Sequence, residues 1–153
     1  MSASTFFPEF VKFVREVFGT QDFVPLHAPQ FNGREKDLVL ETLESTFVSS
    51  IGEYVHEFEK ALAQYTGASF AIAMNNGTAA LHTALLLADV QSGDEVITTP
   101  LTFVATCNAI RYCRADPVFV DVEWATLGLC PDRLAAFLEQ HTEVRDDGFC
   151  WNM

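Results

Sequence analysis

An anion-binding turn is the chemical feature that the sequence marks most clearly. The segment NNGTAALH at 75–82 follows a short apolar run at 70–74 and opens an apolar stretch of helical character. The first N–H groups of a helix have no internal partners, and the helix dipole favours negative charge there. Gly77 allows a tight turn and close approach of a phosphate, and the Thr78 hydroxyl can donate one more hydrogen bond. Both are candidate phosphate-binding residues; a plain strand-to-helix turn is the alternative.

Two further segments offer groups that suit a ligand. Phe103 lies in TPLTFVAT at 99–106, just after a predicted strand, and could present its ring to a planar heterocycle. Offset stacking of that kind contributes about 0.5–1.5 kcal/mol beyond area burial, whereas core filling at a helix start is the alternative. The loop FVSSIG at 47–52 places Ser49 and Ser50 where they could line a polar pocket; a solvated loop is the alternative.

Other polar residues give no comparable signal. No histidine spacing suggests a metal site or a catalytic triad, and His82 is interpreted as a packed helix residue. Asp121 could orient a loop, and Asp132 and Glu139 are interpreted as solvated surface residues. The four cysteines show no zinc-type spacing, so we expect buried free thiols and no metal. They are Cys107, Cys113, Cys130 and Cys150.

Composition and charge indicate a globular chain of the reducing cytoplasm. Of its 153 residues, 49% are apolar and 20% are charged. The net charge of −12 argues against nucleic acid as a partner, because the basic surface that binds phosphate backbones is missing. Charged residues interrupt the N-terminal apolar segment, which excludes a signal peptide, and no apolar run approaches the ~18 residues of a membrane span.

The N-terminal part of the sequence predicts three helices. Apolar residues at helical spacing predict an amphipathic helix that ends at Gly19 and forms an extension over 1–20. Two prolines make the segment 23–29 extended. Asn32 is predicted to cap a helix over 33–45, and a third helix follows over 54–65 with Gly67 just past its end. The second helix is predicted to turn Leu38, Val39 and Leu43 inward.

From residue 70 onward the pattern alternates between short apolar strands and helices. It predicts strands at 70–74, 95–98 and 118–122 and helices at 77–88, 102–112 and from Pro131, with turns at 93–94 and 116–117. Such alternation indicates an α/β fold with a mainly parallel sheet between helices, a three-layer α/β/α arrangement within one domain over 21–153. Ligands bind such sheets at the carboxyl ends of strands, where both the 75–82 turn and the 99–106 segment fall.

Ordered motifs between residues 23 and 131 resemble the DegT/DnrJ/EryC1/StrS sugar aminotransferases. They are Pro25-Leu26, STFVSSIG at 45–52, NGTAALH at 76–82, GDEVI at 93–97, TFVATCNA at 102–109 and PVFVDV at 117–122. The resemblance implies the N-terminal part of the large domain of the pyridoxal-phosphate (PLP)-dependent transferase fold type I. It also implies that the domain is incomplete in this chain.

The resemblance assigns roles to the candidate residues. Gly77 and Thr78 would bind the phosphate of pyridoxal 5′-phosphate, and Phe103 would stack on its pyridine ring. Ser49 and Ser50 would belong to the sugar-nucleotide pocket, contributed to the neighbouring subunit of a homodimer. The implied reaction transfers an amino group from glutamate to the sugar, with the cofactor carrying the nitrogen.

The wording of two segments resembles one branch of the family more narrowly. The segments DFVPLH at 22–27 and STFVSS at 45–50, together with the aromatic N-terminal helix, resemble the LegC-like branch. That branch aminates nucleotide-linked 4-keto-6-deoxy sugars on the way to legionaminic-type sialic acids and surface polysaccharides.

The sequence departs from the family in its lysines. Lys12, Lys36 and Lys60 all precede the phosphate motif, and none has the context of the Schiff-base lysine, which the family carries in a later segment. We therefore expect that the 153 residues alone contain no catalytic lysine and do not transaminate. Two alternatives stay open: a sugar dehydratase of the same fold, in which histidine replaces that lysine, and a non-catalytic binding protein.

Overall fold

The computed structural model describes residues 3–153, and the chain divides into two compact units at 1–56 and 57–153. The first unit contains helix α1 (Ala3–Phe18), helix α2 (Glu35–Glu44) and the start of helix α3 (Glu53–Thr66), which continues into the second unit. The first two residues of the predicted extension 1–20 lie outside the described residues. In the part of the chain that the structure describes, no helix is long and apolar enough to cross a membrane.

Helix α1 confirms the predicted N-terminal helix and its end. Gly19 adopts a φ of 62°, and the Thr20 amide donates to the carbonyl of Arg15 at 3.2 Å. A left-handed glycine followed by such a bond is a common way to terminate a helix, because it satisfies carbonyls that the helix leaves free. The phenylalanine side chains of α1 are exposed within this unit.

Helix α2 is shorter than predicted, and its start differs. Asn32 does not cap it: the Asn32 side-chain amide donates to Gln30 Oε1 at 3.3 Å, while Glu35 Oε2 accepts from the Gly33 amide at 2.9 Å. The predicted inner face is also wrong in part, because Val39 is exposed and only residue 38 of the predicted set is half-buried. Leu43 is exposed as well. Periodicity identifies a helix face but not what covers it.

The second unit is built on a parallel pair of strands. Helix α3 ends before Gly67, whose φ is 73°, and seven elements follow it among the described residues. They are helix α4 (Gly77–Leu87), strand β1 (Glu95–Thr98), helix α5 (Ala105–Tyr112), strand β2 (Asp116–Phe119), helix α6 (Pro131–His141), strand β3 (Thr142–Val144) and strand β4 (Cys150–Asn152). Strand β1 pairs with β2 in parallel, with Ile97 opposite Val118, which confirms an α/β fold with a parallel sheet.

Strand β2 begins earlier and ends earlier than predicted. Asp116 and Pro117, predicted as a turn, are already part of the ladder, and the Asp116 amide donates to the Asp94 carbonyl at 2.8 Å. The turn lies two residues before β2 begins, at Arg114, whose φ is 60°. Proline fits here because a parallel strand leaves alternate amides unpaired by a given neighbour.

The core of this unit lies between the parallel strands and two helices. Ile110, Cys113 and Ala115 are buried around the end of α5. Leu85 of α4 and Val96 of β1 pack against them. The core therefore fixes α4 and α5 relative to β1, and these are the elements that carry the predicted phosphate and ring contacts.

The segment 70–74 is not a strand, contrary to the prediction. Among the described residues the ladders join β1 with β2 and β3 with β4, and 70–74 takes part in neither. The Ala73 amide instead donates to Glu59 Oε1 of α3 at 2.9 Å, and Phe70 and Ile72 are exposed. A strand needs a hydrogen-bonded partner, which local sequence does not supply.

An antiparallel hairpin follows α6 and was not predicted. Strands β3 and β4 pair with Glu143 opposite Trp151, and Gly148 occupies the turn with a φ of 82°. Arg145 lies 4.6 Å from the centre of the Trp151 ring. The turn sequence DDG at 146–148 is the signal that could have revealed this hairpin.

The four cysteines are free thiols, as expected, but only Cys113 is fully buried. Cys107 and Cys130 are half-buried, and Cys150 in β4 is exposed. The expectation of buried thiols is therefore confirmed for Cys113 and wrong for Cys150, and Cys107 and Cys130 are covered only in part. Both lie near helix ends, where an apolar neighbourhood in sequence does not guarantee cover on every side.

Candidate cofactor and substrate site

The N-terminus of α4 is organised by Asn76. This residue is extended, with φ −165° and ψ 166°, and its Oδ1 accepts from the Ala79 amide at 2.8 Å. Its carbonyl accepts from the Ala80 amide at 3.1 Å. Asn76 is thus a helix N-cap. That role was not predicted from the sequence, although asparagine before a helix is its ordinary signal.

The amides of Gly77 and Thr78 are left as free donors. Neither amide has a hydrogen-bond partner among the described residues, since they are the first two of the helix and Asn76 caps the third. The first turn of α4 carries no acidic side chain, so nothing there opposes the positive end of the helix dipole. The turn can therefore receive an anion through two backbone donors and the half-buried Thr78 side chain.

Gly77 is not needed for a tight turn, which corrects that part of the expectation. Its φ lies outside the left-handed region, and Asn76 makes the change of direction in an extended conformation. A Cβ added to Gly77 would meet no protein atom within 4 Å. The space that a side chain at residue 77 would occupy is therefore open, which suits the close approach of a ligand to the backbone.

Phe103 is not core filling. Its side chain is 79% exposed in the loop after β1, and its carbonyl accepts from the Thr106 amide at 3.0 Å as α5 begins. Helix α5 starts at Ala105, later than predicted, which leaves Phe103 in the loop. The ring is available to a planar ligand at the carboxyl end of β1.

A ring contact ties the two site-bearing helices together. His82 of α4 meets Tyr112 of α5 edge-on, with ring centroids 5.6 Å apart and an interplanar angle of 70°. His82 is half-buried, which confirms its interpretation as a packed helix residue. Its contact helps to hold α4 against α5.

Ser49 and Ser50 lie in the first unit, in the connection between α2 and α3. Both are exposed, and the segment has neither helical nor strand structure beyond turns, as predicted. The Ser49 carbonyl accepts from the amide of buried Gly52 at 3.2 Å. The Ser50 hydroxyl has no hydrogen-bond partner in the part of the chain that the structure describes. Ser49 and Ser50 belong to the first unit. The N-terminal turn of α4 (residues 76–79, called the α4 turn below) and Phe103 belong to the second unit.

The remaining polar residues considered from the sequence show no arrangement that suits a ligand in the described part of the chain. Asp121 accepts from its neighbour's amide, Val122, at 2.8 Å, and Asp132 and Glu139 are exposed on α6. Within residues 3–153, no group of three or more histidine, cysteine or acidic side chains is arranged to hold a metal ion. The three lysines are exposed on α1, α2 and α3, and none lies on α4, α5 or the turns before them.

The family follows from sequence comparison. The sequence model of the DegT/DnrJ/EryC1/StrS aminotransferase family matches residues 29–144, most of the chain. The chain belongs to this family. Its relatives include the GDP-perosamine synthase of Caulobacter vibrioides, 44% identical over 121 residues, which are 79% of this chain and 33% of that protein. The chain therefore spans about a third of the length of the curated relatives that it matches.

Solved structures of DegT/DnrJ/EryC1/StrS relatives share the fold. An aminotransferase from Psychrobacter cryohalolentis superposes with a TM-score of 0.67 at 40% identity, covering 75% of this chain and 29% of that one. Spr1654 of Streptococcus pneumoniae, described as a sugar aminotransferase, gives 0.66 at 33% identity in its PLP form, with coverage of 74% and 29%. The chain thus carries part of a fold type I large domain, and the aminotransferases of this family use PLP.

The residues of this DegT/DnrJ/EryC1/StrS chain fit two parts of that cofactor. The open space beside Gly77, with free amides at 77 and 78, suits a phosphate, and the exposed ring of Phe103 suits a pyridine face. The assignments of Gly77, Thr78, Phe103, Ser49 and Ser50 as binding residues stay predictions.

Proposed function

We propose that the complete protein is a PLP-dependent aminotransferase that moves an amino group from glutamate to a nucleotide-linked 4-keto-6-deoxy sugar. The observation that carries the proposal is the α4 N-terminus, where the amides of residues 77 and 78 are free and the side-chain position of Gly77 is open, in a chain of this family. We also propose that it works in the cytoplasm as a homodimer.

Each residue has a defined task in the proposed reaction. Gly77 and Thr78 hold the cofactor phosphate through their amides and the threonine hydroxyl, which fixes the cofactor without using its reacting atoms. Phe103 covers one face of the pyridine ring and keeps water from that face. Bound PLP supplies an electron sink for moving nitrogen between an amino acid and a keto sugar. The loop with Ser49 and Ser50 contacts the nucleotide sugar at the partner subunit's site.

We assign the protein to the LegC-like branch of the family, on the segments at 22–27 and 45–50. The name of the Caulobacter relative favours a guanosine diphosphate as the nucleotide, since that protein is called a GDP-perosamine synthase. The name of another relative, the spore coat polysaccharide biosynthesis protein SpsC of Bacillus subtilis, supports a role in making surface polysaccharide precursors.

A single assay tests the proposed reaction. The protein encoded by the complete gene is purified with PLP and incubated with glutamate and either a GDP-linked or a UDP-linked 4-keto-6-deoxy sugar. We expect equal amounts of 2-oxoglutarate and of an amino sugar nucleotide, detected by mass spectrometry, and no amino sugar without glutamate. Loss of water from the sugar without gain of nitrogen would replace the proposal with the dehydratase.

We further propose that residues 1–153 alone do not catalyse the transfer. Lys12, Lys36 and Lys60 lie on α1, α2 and α3, all before the α4 turn. In the sequence pattern of the family, the Schiff-base lysine belongs to a segment after that turn. Glutamate-dependent turnover by this chain alone, at a rate above a cofactor-only control, would overturn this statement.

A further inference from the structure

The loop that carries Ser50 is fixed at its first half by the end of α2. The Ser45 hydroxyl donates to the Thr42 carbonyl at 2.7 Å and accepts from the Phe47 amide at 3.1 Å. Thr46 adopts a φ of 60°, and its amide donates to the Leu43 carbonyl at 3.1 Å. The polypeptide therefore leaves α2 in a defined direction.

The second half of the loop is fixed by Ser49 and Gly52. The Ser49 carbonyl accepts from the Gly52 amide at 3.2 Å, and its hydroxyl accepts weakly from the Ile51 amide at 3.4 Å. A Cβ on Gly52 would lie 3.4 Å from the Ser49 carbonyl and 3.5 Å from that of Phe47. Ser49 is therefore engaged in shaping the turn, whereas the Ser50 hydroxyl remains available.

A side-chain contact joins the two helices that flank this loop. The Tyr54 hydroxyl of α3 donates to Glu41 Oε2 of α2, across thirteen residues of chain. The other oxygen of the same carboxylate, Oε1, accepts from Arg34 Nη2 at 3.2 Å. Both oxygens of Glu41 are thus engaged, and a phenol-to-carboxylate bond is charge-assisted and stronger than a neutral one.

We propose that Glu41 and Tyr54 are positioning residues that hold the loop so that the Ser50 hydroxyl meets the nucleotide sugar, which rests on the proposed function. The pair fixes the separation of α2 and α3, and the internal bonds at Ser45 and Ser49 pass that restraint to Ser50. Neither Glu41 nor Tyr54 needs to touch the substrate for this role.

The test uses Tyr54→Phe and Glu41→Gln in the protein encoded by the complete gene. Each has a matched control on the same helix: Tyr65→Phe on α3, whose tyrosine is 91% exposed, and Glu44→Gln on α2. We expect either test variant to raise the KM for the nucleotide sugar about fivefold, because Tyr54→Phe removes the hydrogen bond and Glu41→Gln removes the charge that strengthens it. The glutamate half-reaction, measured without sugar, stays within about twofold of wild type.

A double-variant comparison separates positioning from general destabilisation. If the pair acts through Ser50, Tyr54→Phe adds less than about twofold to the KM of Ser50→Ala, because the hydroxyl it positions is already gone. Full additivity of the two changes, or an equal loss in both half-reactions, would overturn the proposal. So would a wild-type KM in Tyr54→Phe.

Amide hydrogen exchange gives a readout that does not depend on the reaction. We expect Tyr54→Phe to speed exchange at residues 47–52 and to leave α4 unchanged, whereas Tyr65→Phe changes neither. Unchanged exchange at 47–52 would overturn the positioning role. The other outcome is faster exchange at 47–52 in Tyr54→Phe while the wild-type protein reacts with no nucleotide sugar. That result would refute the proposed function but would still show that Tyr54 restrains the loop.

Discussion

The α4 turn and the serine loop are built on opposite principles. At the α4 turn (residues 76–79), one side chain, Asn76, satisfies the third amide of the helix and leaves the first two amides free, with open space at the side-chain position of Gly77. In the serine loop (residues 47–52), backbone and side-chain groups form hydrogen bonds with each other, whereas the Ser50 hydroxyl has no partner among the described residues. A site made of backbone donors depends on the path of the main chain. A site made of a side-chain hydroxyl depends on the hydrogen bonds that hold the surrounding loop in place.

The largest expected effect comes from removing a backbone donor at the α4 turn. Gly77→Pro deletes the amide, and proline suits this position because residue 77 opens the helix and Asn76 before it is extended. We expect PLP affinity to fall roughly 10- to 100-fold, the worth of a hydrogen bond to a charged group. Equilibrium dialysis with the full-length protein measures it, and circular dichroism checks the fold.

Gly77→Ala is the matched control, because it keeps the amide and adds a methyl group to open space. We expect a smaller loss of affinity than for proline, together with a gain in stability of about 0.5–1 kcal/mol from the better helix former. Equal affinities of the two variants would show that the amide of residue 77 binds nothing.

The next effect separates capping from charge at Asn76. Asp caps a helix as well as Asn, so Asn76→Asp keeps the bond to the Ala79 amide but places a negative charge beside the phosphate. We expect affinity for PLP to fall about tenfold, with thermal stability unchanged. Asn76→Ala should instead lower stability by about 1 kcal/mol. If Asn76→Asp binds PLP as wild type does, the phosphate lies elsewhere.

A smaller effect is expected at the exposed ring. Phe103→Leu removes stacking and should weaken PLP binding about two- to tenfold without a change in the melting temperature, because the side chain is 79% exposed. Phe70→Leu is the control, since its 88% exposed ring lies in the segment before the turn. Equal effects of the two substitutions on PLP binding would contradict the assignment of Phe103.

The smallest effects distinguish the two serines. Ser50→Ala should raise the KM for the nucleotide sugar about fivefold, because it removes the free hydroxyl. Ser49→Ala should change it by less than about twofold, since the turn keeps its backbone bond to Gly52 and loses only the long bond to Ile51. Steady-state kinetics decides, and a larger effect at Ser49 would reverse the roles of the two serines.

Elements with local signals were predictable from the sequence. Strand β1 was predicted with its observed bounds, and the last helix was predicted with its observed start at Pro131, a residue type that suits the first helical position. The end of α3 before Gly67 followed from glycine in the left-handed region. Each of these signals lies within a few residues of the feature that it determines.

Elements that depend on distant partners were not predictable. Residues 70–74 have the composition of a strand but form no ladder among the described residues, and the Ala73 amide donates to the carboxylate of Glu59. At the site, the apolar character of Phe103 favoured burial, and its exposure follows from the late start of α5 at Ala105. The bond between Glu41 and Tyr54 depends on how the chain between α2 and α3 places the two helices, which spacing alone does not give.

The most direct test of the proposed phosphate site is the amide resonance of Gly77 in the full-length protein labelled with [15N]glycine, assigned by its loss in Gly77→Ala. We predict that PLP and inorganic phosphate both shift this resonance strongly, while pyridoxal, which lacks the phosphate, leaves it nearly unmoved. A Gly77 resonance that PLP does not move, in protein that nevertheless binds PLP, would contradict the assignment of the α4 turn as the phosphate site.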